Sequence, residues 1–168
     1  MSVLKSKRKE SKFEVVVYAS KIHDMLIDFM QRDFGIKDFN LYVEVKYAYG
    51  DDDFENYSKY RFLLYNFKNR IDQIASMMTS NIRAANSNYP QSLHEYEVRR
   101  DYQNSAIVNC EQIKKELQRV IEVFGEFDKF GVDINEFGPY VKAIDREIGL
   151  IKKWRQRDNK KMKSYFNE

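Results

Sequence analysis

Residues 56–88 read NYSKYRFLLYNFKNRIDQIASMMTSNIRAANSN, and their apolar members Tyr57, Tyr60, Leu64, Phe67, Ile71, Ile74, Ala75, Met78, Ile82 and Ala85 recur mostly at steps of three and four. That spacing gathers them on one side of an α-helix and sustains the stripe for about eight turns. A half-buried strand would alternate at a period of two instead. Asn56 or Ser58 can cap the start, and Pro90 stands just beyond the end.

So broad an apolar stripe must be covered, and the flanking sequence supplies the cover. Upstream, Phe13–Arg32 sets Val15, Val16, Tyr18, Ala19, Ile22, Met25, Leu26, Phe29 and Met30 opposite Glu14, Lys21, Asp24, Asp28 and Arg32. Downstream, His94–Phe124 repeats the pattern with Tyr102, Ala106, Cys110, Ile113, Leu117, Val120, Ile121 and Phe124, and Gly125 is its stop signal. A fourth helix opens at Pro139, with Asn135 shortly upstream, and runs through Tyr140, Ile144, Ile148, Ile151 and Trp154 to about Lys163. Short connections between long helices favour antiparallel neighbours. The expected fold class is all-α, an up-down antiparallel four-helix bundle.

Residues 33–55 break the pattern. There Leu41, Val43, Val45, Tyr47 and Tyr49 alternate with Tyr42, Glu44, Lys46 and Ala48. Such a segment is an extended aromatic-rich loop or a short strand between helices 1 and 2. The expected organisation is a basic N-terminal tail at 1–12, one bundle domain at 13–163 and a short C-terminal tail at 164–168.

Composition agrees with helices. The 168 residues hold only 6 Gly and 2 Pro, too few for the turns of an all-β chain of this length. One Cys excludes an internal disulfide framework, and two His leave little for a zinc site. A reducing, cytoplasmic setting follows. No segment reads as a signal peptide or a membrane span. The net charge of +3 conceals a division: residues 1–12 carry +4, residues 146–168 carry +5, and residues 13–145 carry −6. Two basic ends suit contact with something anionic, although charged tails also keep small proteins in solution.

Several strings imitate active sites and fail on context. Asp33-Phe34-Gly35 matches the kinase metal-binding triplet without the rest of a kinase. Asp51-Asp52-Asp53 with Glu55 lacks calcium-loop spacing and reads as a solvated turn. His94-Glu95 has no second His four residues on, His23 reads as a packed or pH-sensitive structural residue, and Cys110 as an inert buried thiol. No catalytic residue, metal ligand or cofactor is expected, and the chain does not read as an enzyme.

The fourth helix carries the functional expectation. With Tyr140 as the zero of a helical wheel, Lys142, Arg146, Lys153, Arg157 and Lys160 fall between about 200° and 260°, and Gly149 completes the line. The rise along this acid-free stripe is about 27 Å, enough to run beside several phosphates. Trp154 lies on the apolar side, with Arg155 at its rim able to cover the ring. Arg99 sits on the axis of the third helix's apolar face and must either pair with an acid, Glu95 being near in sequence, or face an open mouth. With Arg100 and Arg83 it would form a basic group where the second and third helices meet. The polar string Thr79–Asn86 permits close helix approach and interhelical hydrogen bonds, or marks a fraying end.

Three strings carry a family resemblance: Ser80–Ser87 (SNIRAANS), Arg100–Ala106 (RDYQNSA) with Cys110-Glu111, and above all Asp145–Lys160 (DREIGLIKKWRQRDNK). Over residues 56–163 the chain resembles the accessory variability determinant (Avd) proteins of diversity-generating retroelements, which are related to the bundle proteins encoded in 23S rRNA intervening sequences. The resemblance implies a basic four-helix bundle that forms a pentameric homo-oligomer, binds a reverse transcriptase and its template RNA or cDNA, and supports mutagenic cDNA synthesis without catalysing it. It lends weight to Lys152, Lys153, Arg155, Arg157, Lys160 and Arg83. The full set expected to bind nucleic acid or a partner is Lys142, Arg146, Lys152, Lys153, Arg155, Arg157, Lys160, Arg83, Arg99 and Arg100. The alternative expectation is a protein–protein interaction module of a prophage or other mobile element, using the aromatic segment 39–49 and binding no nucleic acid.

Overall fold

The four apolar stripes become four long helices in the computed structural model, which describes residues 3–36, 52–125 and 131–166. They are α1 (Val3–Gln31), α2 (Asp52–Ser87), α3 (Leu93–Gly125) and α4 (Gly138–Phe166). Each packs on its neighbours in sequence, and α1 also packs on α4, which closes a four-helix bundle. Cross-helix pairs run in opposite directions at all four seams: Ser20–Arg83 and His23–Asp72, Arg70–Glu116 and Asn81–Asn109, Arg100–Asn159 and Lys114–Asp145, Glu14–Arg146 and Phe29–Tyr140. Every seam is therefore antiparallel. Most of the expected apolar positions form the core, with Leu26, Ile71, Met78, Ile113, Leu117, Ile151 and Trp154 essentially inaccessible, whereas Tyr102 of the third stripe is exposed and Phe34, Ile36 and Phe137 join the core from outside the stripes.

Two boundaries differ from expectation. The first helix begins at Val3 and so takes in residues 3–12, ahead of the expected start at Phe13. The second begins at Asp52, which puts Asn56 and Ser58 inside it and makes Asp52, Asp53 and Glu55 part of the helix, where a solvated turn was expected. The alternating segment 41–49 lies outside the described residues, and Gly50 and Asp51 with it.

Asp33-Phe34-Gly35 stops α1. These three residues have φ of 52°, 57° and 70°, a left-handed turn that costs an L-residue about 1–2 kcal/mol. Burial of Phe34 offsets that cost: its ring stands edge-on to Phe29 at 5.4 Å and stacks with Phe137 at 6.4 Å. Lys68 pairs with Asp33, and Arg32 Nη2 donates to the Tyr140 hydroxyl at 3.0 Å. A Cβ at Gly35 would displace the end of the flexible Glu136 side chain, and the φ of 70° is what favours glycine there.

The third helix starts on a capping box. Glu95 N donates to Ser92 Oγ at 3.3 Å, while Glu95 Oε2 accepts from Ser92 N at 3.1 Å and Gln91 N at 2.6 Å. The Gln91 and Ser92 amides hold the Glu95 carboxyl below its ordinary value. His94-Glu95 is thus a helix start.

Candidate nucleic-acid interface

In an up-down bundle the first turns of α1, the α2–α3 turn and the last turns of α4 share one end. The helical part of the basic N-terminal stretch and the basic end of α4, more than 130 residues apart in sequence, therefore belong to the same end of the bundle. From Gly149 to Tyr165 the chain has seven Lys/Arg and one acid, Asp158. That acid is only 7% exposed. It faces inward, with Oδ2 3.0 Å from Arg99 Nε and accepting from Gln103 Nε2 at 2.8 Å. The outer face of this half of α4 is consequently left to cations.

The expected site residues divide into three groups. Lys142, Lys152, Lys153 and Lys160 are exposed and make no ion pair with any described residue. Arg157 is half-buried beside them, its Nε donating to Lys153 O at 3.3 Å. A second group is tied to neighbouring helices: Arg146 pairs with Glu14 at 3.0 Å and covers the Tyr18 ring at 4.5 Å, and Arg155 Nη1 donates to Asn104 Oδ1 at 2.5 Å. Arg146 thereby marks the edge of the stripe against α1, and its hydrogen bond to Glu14 holds its pKa above the ordinary value. A Cβ at Gly149 would meet nothing within 4 Å, so this glycine serves no packing among the described residues.

Arg83, Arg99 and Arg100 do not form the expected group. Arg83 Nη2 reaches Ser20 Oγ on α1 at 3.3 Å, whereas Arg100 Nη2 reaches Asn159 Oδ1 on α4 at 2.6 Å. Arg99 is 2% exposed and turns into the bundle. Adjacent residues on a helix point about 100° apart, which separates Arg99 from Arg100. The partner of Arg99 is Asp158 and not Glu95, and its guanidinium lies 4.8 Å from the centre of the Trp154 ring, the place expected for Arg155. Its Nη1 donates to Asn88 O at 3.1 Å, and its Nη2 has no hydrogen-bond partner. Burial pulls the guanidinium below its ordinary value while the Asp158 carboxylate works against the shift.

The polar string at the end of α2 does make an interhelical bond, Asn81 Nδ2 to Asn109 Oδ1 at 2.9 Å. Cys110 is fully buried, and burial pushes its thiol up to about 12, outside the range of a nucleophile. His23 Nε2 lies 2.9 Å from Asp72 Oδ1 and ties α1 to α2. Among the described residues no group of His, Cys, Asp and Glu is arranged to hold a metal, and no helix is long and apolar enough to cross a membrane.

Two features went unnoticed in the sequence. Glu147 is 0% exposed, and neither carboxylate oxygen has a hydrogen-bond partner. Desolvation, with the nearby Glu14 charge, raises its pKa to about 8 against a smaller opposing effect of Arg146. The second is a cavity of about 550 Å³ at the basic end of α4, where Arg99 and Asp158 meet Tyr89, Tyr96, Lys161 and Tyr165. The wheel contained the signal for both buried acids, since it puts Asp158 at about 0° and Glu147 at about 340°, on the core side.

The chain matches no protein-family model, and no curated protein or solved structure is significantly similar to it.

Proposed function

We propose that this bundle is a non-enzymatic accessory protein that binds single-stranded RNA or cDNA along α4, presents it to a reverse transcriptase of a diversity-generating retroelement, and does so in the cytoplasm as a homo-oligomer. The observation that carries the reading is the inward turn of Asp158: it pairs with Arg99 and leaves Lys152, Lys153, Lys160, Lys161 and Lys163 on an outer surface with no acid from Gly149 to Tyr165. Ordinary helix surfaces mix signs. The mechanism is electrostatic. Each subunit neutralises a few phosphates, and an oligomer multiplies a weak contact into a strong one through avidity.

Salt dependence tests this directly. Four phosphate contacts per subunit give a slope of about −3 in a plot of log affinity against log salt for single-stranded RNA. A flat plot, with salt-insensitive capture of a protein partner, would transfer the function to the protein–protein alternative.

A further inference from the structure

We propose that the outward face of α2, with the adjoining flank of α3, is the surface on which a second copy of this chain docks about a two-fold axis. From Phe62 to Ser87 the line of α2 opposite its core stripe presents Phe62, Asn69, Gln73, Ser76, Ser80 and Ser87, all exposed and none charged. The four charged residues of this stretch turn aside and are bonded to neighbouring elements: Lys68 to Asp33, Arg70 to Glu116, Asp72 to His23 and Arg83 to Ser20. The flank of α3 beside it is also uncharged. Ser105 and Gln112 are exposed on the side of α3 that carries the Asn81–Asn109 bond. Large apolar side chains stand out along the surface, with Phe62 65%, Met77 50% and Tyr102 39% exposed. Outward faces elsewhere carry charge, such as Lys21, Asp24 and Asp28 on α1.

The charge pattern selects the occupant. Amides and hydroxyls both donate and accept, so a surface built from them can meet itself, whereas a charged surface brings like against like across a two-fold axis. A nucleic-acid strand would need cations that this face lacks, and an acidic or basic protein would find no opposite charge. The stretch from Phe62 to Ser87 is about 38 Å long, and at one to two helices wide it offers roughly 400–800 Å² to each copy, up to the ~800 Å² per partner of a standard interface. Its amides are held before docking: Asn81 Nδ2 donates to Asn109 Oδ1 at 2.9 Å, and Asn109 Nδ2 donates to Gln112 Oε1 at 3.3 Å. Because α2 and α4 each pack on α1 and α3, they stand at opposite corners of the bundle. Pairing through α2 therefore leaves both α4 stripes outermost. The inference rests on the proposed function only for the existence of a homo-oligomer, and it needs no nucleic acid.

The test is sedimentation equilibrium of the full chain from about 1 to about 200 μM, with two double variants that place like charge on the face, Gln73→Lys with Ser80→Lys and Gln73→Glu with Ser80→Glu. Both positions are exposed, so helix content by circular dichroism is expected to stay at the wild-type level. The wild type is expected to form a dimer in this range, with a melting temperature that rises with concentration. Each double variant alone is expected to associate about a hundred-fold more weakly, because its added charges meet their own copies. An equimolar mixture of the two is expected to regain the dimer, since lysine then meets glutamate. Only a face that docks on itself gives that rescue. The triple variant Lys142→Glu, Lys153→Glu, Lys160→Glu should dimerise as the wild type does whatever its RNA affinity, which separates failure of this face from failure of the stripe. A wild type that stays monomeric throughout, an odd-numbered assembly, double variants that associate normally, or a mixture that stays monomeric while the wild type pairs would each overturn the proposal.

Discussion

Replacing Asp158 by Ala is expected to cost about 3–5 kcal/mol of stability and to lower the melting temperature by roughly 6–20 °C. The loss comes from what remains. Arg99 would stay 2% exposed with its charge uncompensated, and the Gln103 amide would lose its acceptor. The pair itself contributes little net stability, because desolvating two ions offsets most of their attraction. A double variant, Arg99→Met with Asp158→Leu, is therefore expected to recover most of the loss. Denaturant unfolding of wild type, single and double variants checks both statements. A loss below 1 kcal/mol for Asp158→Ala would mean that Arg99 is not held in the interior by this acid.

Glu147 gives the second large effect, with the opposite sign. Its folded pKa of about 8 lies above the ordinary value of 4.5, so between those values the native state binds a proton that the unfolded chain has released. Stability then falls as pH rises through this window, by about 1.4 kcal/mol for each pH unit, and levels off above about pH 8. The full fall is on the order of 5 kcal/mol, of which roughly 3 are already lost at pH 7. Glu147→Gln keeps the shape and removes the charge. Unfolding measured from pH 5 to pH 8.5 is expected to show the variant gaining on the wild type by several kcal/mol across the window. Parallel curves for the two proteins would show that Glu147 does not titrate in the interior.

The bundle was legible because a stripe of apolar residues over seven or eight turns has few interpretations. Ile71, Ala75, Met78 and Ile82 on α2, or Ile144, Ile148 and Ile151 on α4, can only face a core, and the core contains them all. Boundaries were less legible, since residues 3–12 carry no apolar face to declare the helix that α1 continues through them. The Asp33-Phe34-Gly35 turn was hidden for another reason: Phe34 packs on Phe137, about a hundred residues away.

At the site, the lysine stripe was legible from one helix alone, because exposure on α4 depends only on the angle from its core. Pairings were not. Whether Arg99 meets Glu95 or Asp158, and whether Arg83 joins Arg100, depends on which helices are neighbours and in what register. A buried acid such as Asp158 also changes the meaning of the charge count, because it subtracts from the sum without appearing on the surface.

The central claim is that the outer face of α4 holds a nucleic-acid backbone. Lys142, Lys153 and Lys160 lie on that face, exposed and without ion pairs to described residues, so reversing all three to Glu removes contacts without disturbing the core. The decisive measurement is single-stranded RNA affinity and melting temperature of this triple variant beside the wild type. We expect at least a hundred-fold loss of affinity, a salt slope shallower by about 2, and melting nearly unchanged. Undiminished affinity at the same salt would contradict the claim and leave the stripe as a solvated helix face.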